Sequence, residues 1–303
     1  MKIGIVFFGT SSGVPTLSRN HTSILLSYKD EKILIDCGEG TQRQFRKAKI
    51  NPCKLTKVLL THLHGDHVFG LPGLFQTLGL NGYNKTLEIY GPSGTKKFID
   101  DLFKTFKVTR AVQIKVEVKE VKGKFFENND FSLEAVSLEH GTPTNGYAFQ
   151  EKDKLRIYKD KLLKLGLKNH PLLGRLSKGE DIKIDGKLIK SKNLTYGQKG
   201  RKISFVFDTK MCTGVKKLTK DSDLVVIEST FLNQEDKSSS AGKDYKHLTL
   251  EEACKVGKEL KVGKLVLTHF SQRYEFKEKM LLKAAKKIFK NVEIAKDFMK
   301  VEV

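Results

Sequence analysis

Three histidines and a carboxylate fall within the six residues His62-Leu63-His64-Gly65-Asp66-His67. The run Lys57-Val58-Leu59-Leu60-Thr61 just before them is mostly apolar and reads as a β-strand. Four metal-capable side chains therefore crowd the turn that follows one strand. A zinc ion that keeps a position open for substrate takes three protein ligands, so four so close together fit two neighbouring ions better than one. The fold must then bring further ligands to the same place from distant parts of the chain.

An α/β sheet provides such a place, because ligand sites form outside the carboxyl ends of its strands. Short runs rich in Val, Ile and Phe predict strands over residues 3–8, 23–27, 32–36, 57–61, 87–90, 114–118, 131–138, 147–149, 203–208, 224–228 and 264–268. Helical spacing predicts helices over 41–48, 71–80, 95–103, 159–165, 249–260 and 277–289. Thr249 with Glu252 three residues on suggests a capping box. Strands alternating with helices in both halves point to a single α/β domain over residues 1–303 with layered sheets.

Of the eight histidines, His62, His140 and His269 each follow a predicted strand, and Asp208 ends one. On a shared rim they assemble into two groups. His62, His64 and His140 complete one metal, Asp66, His67 and His269 a second, and Asp208 bridges them with its two oxygens. Each ligand histidine needs an acceptor for its other nitrogen, and Asp36, at the end of strand 32–36, is placed to orient one of them. His21 and His170 match no pattern and read as ordinary polar residues. The four cysteines are scattered with no C-x-x-C pair, so they read as reduced thiols and not as zinc ligands.

Composition bears on the partner. The 303-residue chain carries 56 Lys and Arg against 35 Asp and Glu, a net charge of +21, which predicts a polyanion such as nucleic acid. The excess is uneven. Residues 151–192 hold 13 basic against 6 acidic side chains, broken by Gly166, Pro171, Gly174, Gly179 and Gly186, and read as an inserted basic arm. No run is long and apolar enough for a membrane span. The apolar N-terminus breaks at Gly9-Thr10-Ser11-Ser12-Gly13 and reads as a first strand and not a signal peptide, so a cytoplasmic location is expected.

These residues resemble the metallo-β-lactamase superfamily, and within it the ribonuclease Z family of tRNA 3′-processing endonucleases. The resemblance rests on Phe8-Gly9-Thr10-Ser11-Ser12-Gly13-Val14-Pro15, Arg19-Asn20, Ile35-Asp36-Cys37-Gly38-Glu39-Gly40, the His62 to His67 motif with its extension Gly70-Leu71-Pro72-Gly73, and Tyr90-Gly91-Pro92. It continues through Glu228-Ser229-Thr230-Phe231, His247-Leu248-Thr249 and Thr268-His269-Phe270-Ser271-Gln272-Arg273-Tyr274. The His62 to His67 motif alone is specific only to the superfamily; the Gly70 extension and the His269 to Tyr274 run are more specific.

The resemblance implies a four-layer αβ/βα sandwich, two zinc ions per subunit and a homodimer. It also implies attack of a metal-activated hydroxide after the discriminator base, leaving a tRNA 3′-hydroxyl. The same ligand types also hold manganese or iron. By position, Asp66 is also the general base, and Glu228 with His247 forms a proton relay for the leaving group. Arg19, Asn20, Ser271 and Arg273 contact substrate. The basic segment matches the position of the family's tRNA-binding arm, with Arg175 and Lys178 in its recurring piece. Where the family often carries lysine, this chain has Leu17, in a loop that helps position the substrate end. A phosphodiesterase of the same fold acting on small or cyclic phosphodiesters is the competing reading, and the charge and the arm weigh against it. The complete ligand set weighs against a non-catalytic RNA-binding protein.

Overall fold

Two seven-stranded sheets, stacked face to face, carry most of the buried surface in the computed structural model, which describes residues 2–106, 114–167, 171–184, 186–238 and 246–303. Strands are numbered in chain order. The first sheet contains β1 (Gly4–Gly9), β2 (Ser23–Tyr28), β3 (Glu31–Ile35), β4 (Lys57–Leu59), β5 (Thr86–Gly91), β6 (Lys115–Glu120) and β18 (Lys300–Glu302), in the order β18-β1-β2-β3-β4-β5-β6. The second contains β7 (Gly123–Glu127), β8 (Phe131–Leu138), β9 (Thr144–Glu151), β14 (Lys202–Val206), β15 (Leu224–Glu228), β16 (Lys264–Thr268) and β17 (Val292–Ile294), in the order β17-β16-β15-β14-β9-β8-β7.

Alternation along each strand sorts its side chains between two faces. In the first sheet Val6, Phe8, Leu25 and Leu34 pack against Phe45, Leu71, Leu74, Phe75 and Ile99 of the helices Thr41–Lys47, Leu71–Leu80 and Thr95–Thr105. In the second, Val225, Ile227, Leu265 and Leu267 pack against Val215, Leu250, Ala253 and Leu281 of the helices Thr213–Thr219, Leu250–Glu259 and Glu278–Ile288. The opposite faces meet between the sheets. The Tyr28 and Phe149 rings lie 5.3 Å apart, and the Tyr147 hydroxyl donates to the Leu60 carbonyl at 2.7 Å. The result is helices, sheet, sheet, helices, the four-layer sandwich expected.

Strand direction positions the site. β3 to β6 run parallel, and so do β14 to β17. Each parallel block delivers its carboxyl ends to one rim. Asp36, Asp208 and His269 lie just past β3, β14 and β16 with φ of 56°, 41° and 60°. Positive φ at non-glycine residues carries strain and is held by the surrounding structure. Here it turns the chain sharply at three strand ends.

The expected elements form with small shifts. Strand 203–208 ends at Val206 and strand 57–61 at Leu59, because the residues beyond are drawn into the rim. The helix expected over 277–289 spans Glu278–Ile288, and the Thr249–Glu252 capping box is present. The short strands β7, β17 and β18 and the helix Thr213–Thr219 were not anticipated, since each is short and, β17 apart, carries lysine.

A second compact unit comprises Glu127–Ser132 and Gln150–Arg201, wider than the expected 151–192. Its hairpins are β10 (Lys154–Ile157) with β13 (Thr195–Gln198) and β11 (Ile182–Ile184) with β12 (Lys187–Ile189), and the first of them carries the unit past residue 192. Leu162, Leu167, Leu176, Ile182 and Leu194 form its own small core. His170 lies outside the described residues. Among the described residues no helix is long and apolar enough to cross a membrane.

The capping box gives a direct test. Thr249 Oγ1 accepts from the Glu252 N–H at 3.1 Å, and Glu252 Oε2 accepts from the Thr249 N–H at 2.9 Å. Thr249→Ala should lower unfolding free energy by about 1 kcal/mol in urea denaturation. An unchanged midpoint would mean that packing alone sets this helix start.

Candidate metal centre

The turn after β4 holds His62 and His64, and the short helix Gly65–Val68 that follows carries Asp66 and His67. Glycines allow the surrounding backbone to close in. A Cβ on Gly38 would stand 2.6 Å from the Asp66 carbonyl, and one on Gly70 2.1 Å from the Gly38 carbonyl. The Cys37 N–H donates to the His67 carbonyl at 2.8 Å, and the Gly70 N–H to the Cys37 carbonyl at 2.9 Å, so the two segments lock together.

The structure brings His62, His64, His140 and Asp208 into one group and Asp66, His67, Asp208 and His269 into another. In the first, His64 Nδ1 lies 3.1 Å from His62 Nε2 and 3.2 Å from His140 Nε2. Asp208 Oδ2 is 3.6 Å from His62 Nε2. In the second, His67 Nε2 lies 3.3 Å from both Asp66 Oδ2 and His269 Nε2, and Asp208 Oδ1 is 3.1 Å from His269 Nε2. Metal–nitrogen bonds of about 2.0–2.1 Å in a tetrahedron place donor atoms roughly 3.3 Å apart. The spacing fits. Asp208 turns one oxygen to each group, and its buried Oδ1 accepts no hydrogen bond. A buried carboxylate oxygen without a donor is costly unless a cation meets it.

The other ring nitrogens of His62, His67, His140 and His269 find partners, which fixes their tautomers. Asp36 Oδ2 accepts from His67 Nδ1 at 2.7 Å and from the Thr61 hydroxyl at 2.8 Å, and Asp36 Oδ1 accepts from the Thr61 N–H at 2.7 Å. Since its own proton goes to Asp36, Thr61 Oγ1 accepts from His62 Nδ1 at 3.1 Å. Thr230 Oγ1 accepts from His269 Nδ1 at 2.9 Å and donates to Glu228 Oε2 at 2.6 Å. The Lys246 carbonyl accepts from His140 Nδ1 at 3.1 Å. His62, His67, His140 and His269 therefore all turn Nε2 inward.

Electrostatics agrees. Burial lowers the pKa of His62 and His140 and keeps them neutral, as ligands must be. Burial alone would raise the Asp208 carboxyl, but His269, His67, His247 and His62 outweigh it and hold it well below the usual range. Asp66 is likewise held ionised, against burial, by His67 and His269. Burial would lower His67, yet Asp208, Asp36 and Asp66 raise it. The acidic field of the pocket thus calls for positive charge.

Beside this cluster, His247 Nδ1 lies 3.0 Å from Glu228 Oε2, while Glu228 Oε1 accepts from the Thr209 N–H at 2.6 Å. Burial lowers the His247 pKa, but Glu228 and then Asp208 push it up to about 9.

The residues expected at the substrate are placed unevenly. Arg19 is a correction: it is buried, with Nη2 on Glu278 at 2.9 Å and Nη1 on Thr10 Oγ1 and the Ala295 carbonyl, and so is committed to the fold. Asn20 is half-buried and its side-chain amide donates to the Glu39 carbonyl. Ser271 is half-buried and precedes the turn Gln272–Tyr274 without a side-chain bond to it, and Arg273 pairs with Asp236 at 3.1 Å over the Phe231 ring. Arg175 and Lys178 belong to the second unit, where Arg175 pairs with Glu180. Thr61, Thr209 and Thr230 were missed. Adjacency to His62 could have flagged Thr61, and the Glu228-Ser229-Thr230-Phe231 motif could have flagged Thr230; nothing in the sequence marks Thr209.

Comparison with known proteins places this geometry. The model of the family described as anti-Pycsar protein Apyc1 matches residues 3–150. The chain is similar to ribonuclease Z of Methanothermobacter thermautotrophicus, 38% identical with 99% of this chain and 96% of that protein covered. Among solved structures it is similar to the short form of human tRNase Z, with a TM-score of 0.68, 27% identity and 98% of each chain covered. The metallo-β-lactamase fold protein YhfI of Bacillus subtilis superposes with a TM-score of 0.70 at 19% identity over 100% of both chains, a likeness of fold.

The ring-orienting contact yields a prediction. Asp36→Asn should weaken metal affinity about 10- to 100-fold by chelator competition, because the His67 tautomer is no longer enforced. Affinity equal to the parent would remove Asp36 from the site. With a metal-ligating cluster on the rim of this sandwich and a relative 38% identical along nearly its whole length, the chain belongs to the ribonuclease Z family.

Proposed function

We propose that this centre holds two zinc ions and removes the 3′ trailer of precursor tRNA, cutting after the discriminator base. The observation that carries this reading is Asp208, shared through one oxygen each by two complete ligand groups. Two bound zinc ions supply Lewis-acid polarisation of the phosphate and a nucleophile at neutral pH.

The chain's own residues do the rest. Asp66, kept ionised by His67 and His269, orients the attacking water and takes its proton. A bond forms from that water oxygen to phosphorus, and the bond from phosphorus to the ribose 3′ oxygen breaks. His247, kept protonated by Glu228, gives its proton to the departing oxygen and so leaves a 3′-hydroxyl. Glu228 is held by Thr209 and Thr230 and keeps the ring aligned.

Precursor tRNA as the partner is supported by family membership and by the charge of +21. The basic unit acts as a tRNA-gripping arm, with Arg175 and Lys178 on phosphates. Two copies of the chain pair in this reading. An apolar groove of about 390 Å³ lined by Val68, Phe69, Pro72, Phe98, Leu102 and Phe106 offers surface for that pairing.

Incubation with an end-labelled precursor tRNA should give one product ending at the discriminator base with a 3′-hydroxyl, and cuts elsewhere would contradict the reading. His247→Ala should slow RNA cleavage by about 10²–10⁴-fold while sparing an ester with a good leaving group; equal losses would remove its acid role. Arg175→Gln with Lys178→Gln should raise KM for precursor tRNA several-fold and reduce the salt slope of binding by about 2. An unchanged slope would place the phosphate contacts elsewhere.

A further inference from the structure

The loop joining β1 to β2 runs beside the metal centre: a Cβ on Gly13 would lie 4.0 Å from Asp66 Oδ2. Its tip exposes Val14 and, at 98%, Leu17. The tip is tied at Ser18, whose N–H and hydroxyl donate to Glu275 Oε1 at 3.1 Å each, and its placement over the centre depends also on its stems. The stems are joined to each other, with the Thr10 and Ser11 N–H groups donating to the Asn20 carbonyl at 3.0 and 2.9 Å.

Behind them stands one carboxylate. Asp297 Oδ1 accepts from the Thr10 hydroxyl at 2.8 Å, and Asp297 Oδ2 accepts from the Asn20 N–H at 2.8 Å and from Gln44 Nε2 at 3.1 Å. Two residues before it, the Ala295 carbonyl accepts from Arg19 Nη1, which also donates to Thr10 Oγ1. The chain strains to present this group. Phe298 sits at φ 66°, fixed by its N–H donating to the Phe7 carbonyl at 2.7 Å. A bulky side chain at positive φ persists only where its surroundings over-determine it. Burial pushes the Asp297 carboxyl up to about 6, against the pull of Asn20, Thr10, Arg19 and Lys47. Strain and a half-buried carboxylate thus meet in a turn that supplies none of the metal-site side chains. Such local violations gather where function demands them.

We infer that Asp297 is a positioning residue whose carboxylate fixes both stems of the loop over residues 10–21 and so sets the loop tip against Asp66, where the RNA strand lies across the cut. The inference rests on the tRNA endonuclease reading. A small phosphodiester with a good leaving group needs only the metals; a polynucleotide must also be held in register. A displacement of about 1 Å at a positioning element costs up to 10²-fold in rate.

Asp297→Ala removes both stem contacts. Precursor tRNA and bis(p-nitrophenyl) phosphate are compared, with zinc content by atomic absorption and fold by circular dichroism. We expect KM for the tRNA to rise about tenfold or more, with cuts spreading to neighbouring nucleotides, while zinc content and small-ester kcat stay within about twofold. Asp297→Asn keeps one acceptor oxygen and should recover part of the KM loss. Equal losses on both substrates, or unchanged tRNA kinetics, overturn the inference. Should Asp297→Ala fail to fold, Thr10→Val removes the Oδ1 contact, together with the Arg19 bond to Thr10 Oγ1, and should raise tRNA KM in the same direction; an unchanged KM there also overturns it. Failure of the parent protein to cut precursor tRNA would instead defeat the endonuclease reading.

Discussion

Everything at this site depends on one shared carboxylate. Asp208 is buried, ionised and left-handed in backbone, and it offers one oxygen to each of two ligand groups. Its place follows from strand direction. β14, β15 and β16 run parallel, so Asp208, Glu228 and His269 leave the second sheet at one rim. The first sheet brings Asp36 and His62 to the same region from β3 and β4. A buried carboxylate so placed is unfavourable without nearby positive charge, and the five histidines and Asp66 grouped with it are the remaining metal-type ligands to answer that need.

Around this core lies a frame of hydroxyls and carboxylates that settles which nitrogen of each ring faces inward. Thr61 holds His62 directly and is joined through Asp36 to His67, and Thr230 links His269 to Glu228. The second linkage joins the metal group to the Glu228–His247 pair, so the orientation of His269 and the placement of the proposed acid share one hydrogen-bonded chain, and a change at Thr230 touches both. Farther out, Asp297 plays a similar orienting role for a loop instead of a ring.

Much of the site was legible in the sequence because it is local or tied to strand ends. The His62 to His67 motif announces itself, and His140, Asp208 and His269 each sit at the end of a run whose apolar pattern marks a strand. The basic segment and the capping box were legible for the same reason, as features of composition and short spacing. What was missed depends on tertiary approach. Thr209 looks like any strand-end threonine, and its role, like that of Thr230, exists only once β14, β15 and β16 lie side by side. Asp297 sits in a lysine-rich tail, and its partners Thr10, Asn20 and Gln44 are more than 250 residues away. Arg19 misled because an arginine near a substrate loop reads as an anion binder, whereas Glu278 and Thr10 bury it. The short strands β17 and β18 carry too few apolar residues to register, and pairing in a sheet makes them.

The central claim is that Asp208 joins two metal ions into one cutting centre. The most direct measurement is zinc per chain in the parent and in Asp208→Ala, with precursor tRNA cleavage assayed on the same samples. The account predicts two zinc ions per chain in the parent, fewer in the variant, and no detectable cleavage by the variant. A parent that cuts with one zinc, or a variant that keeps both metal and turnover, would contradict it.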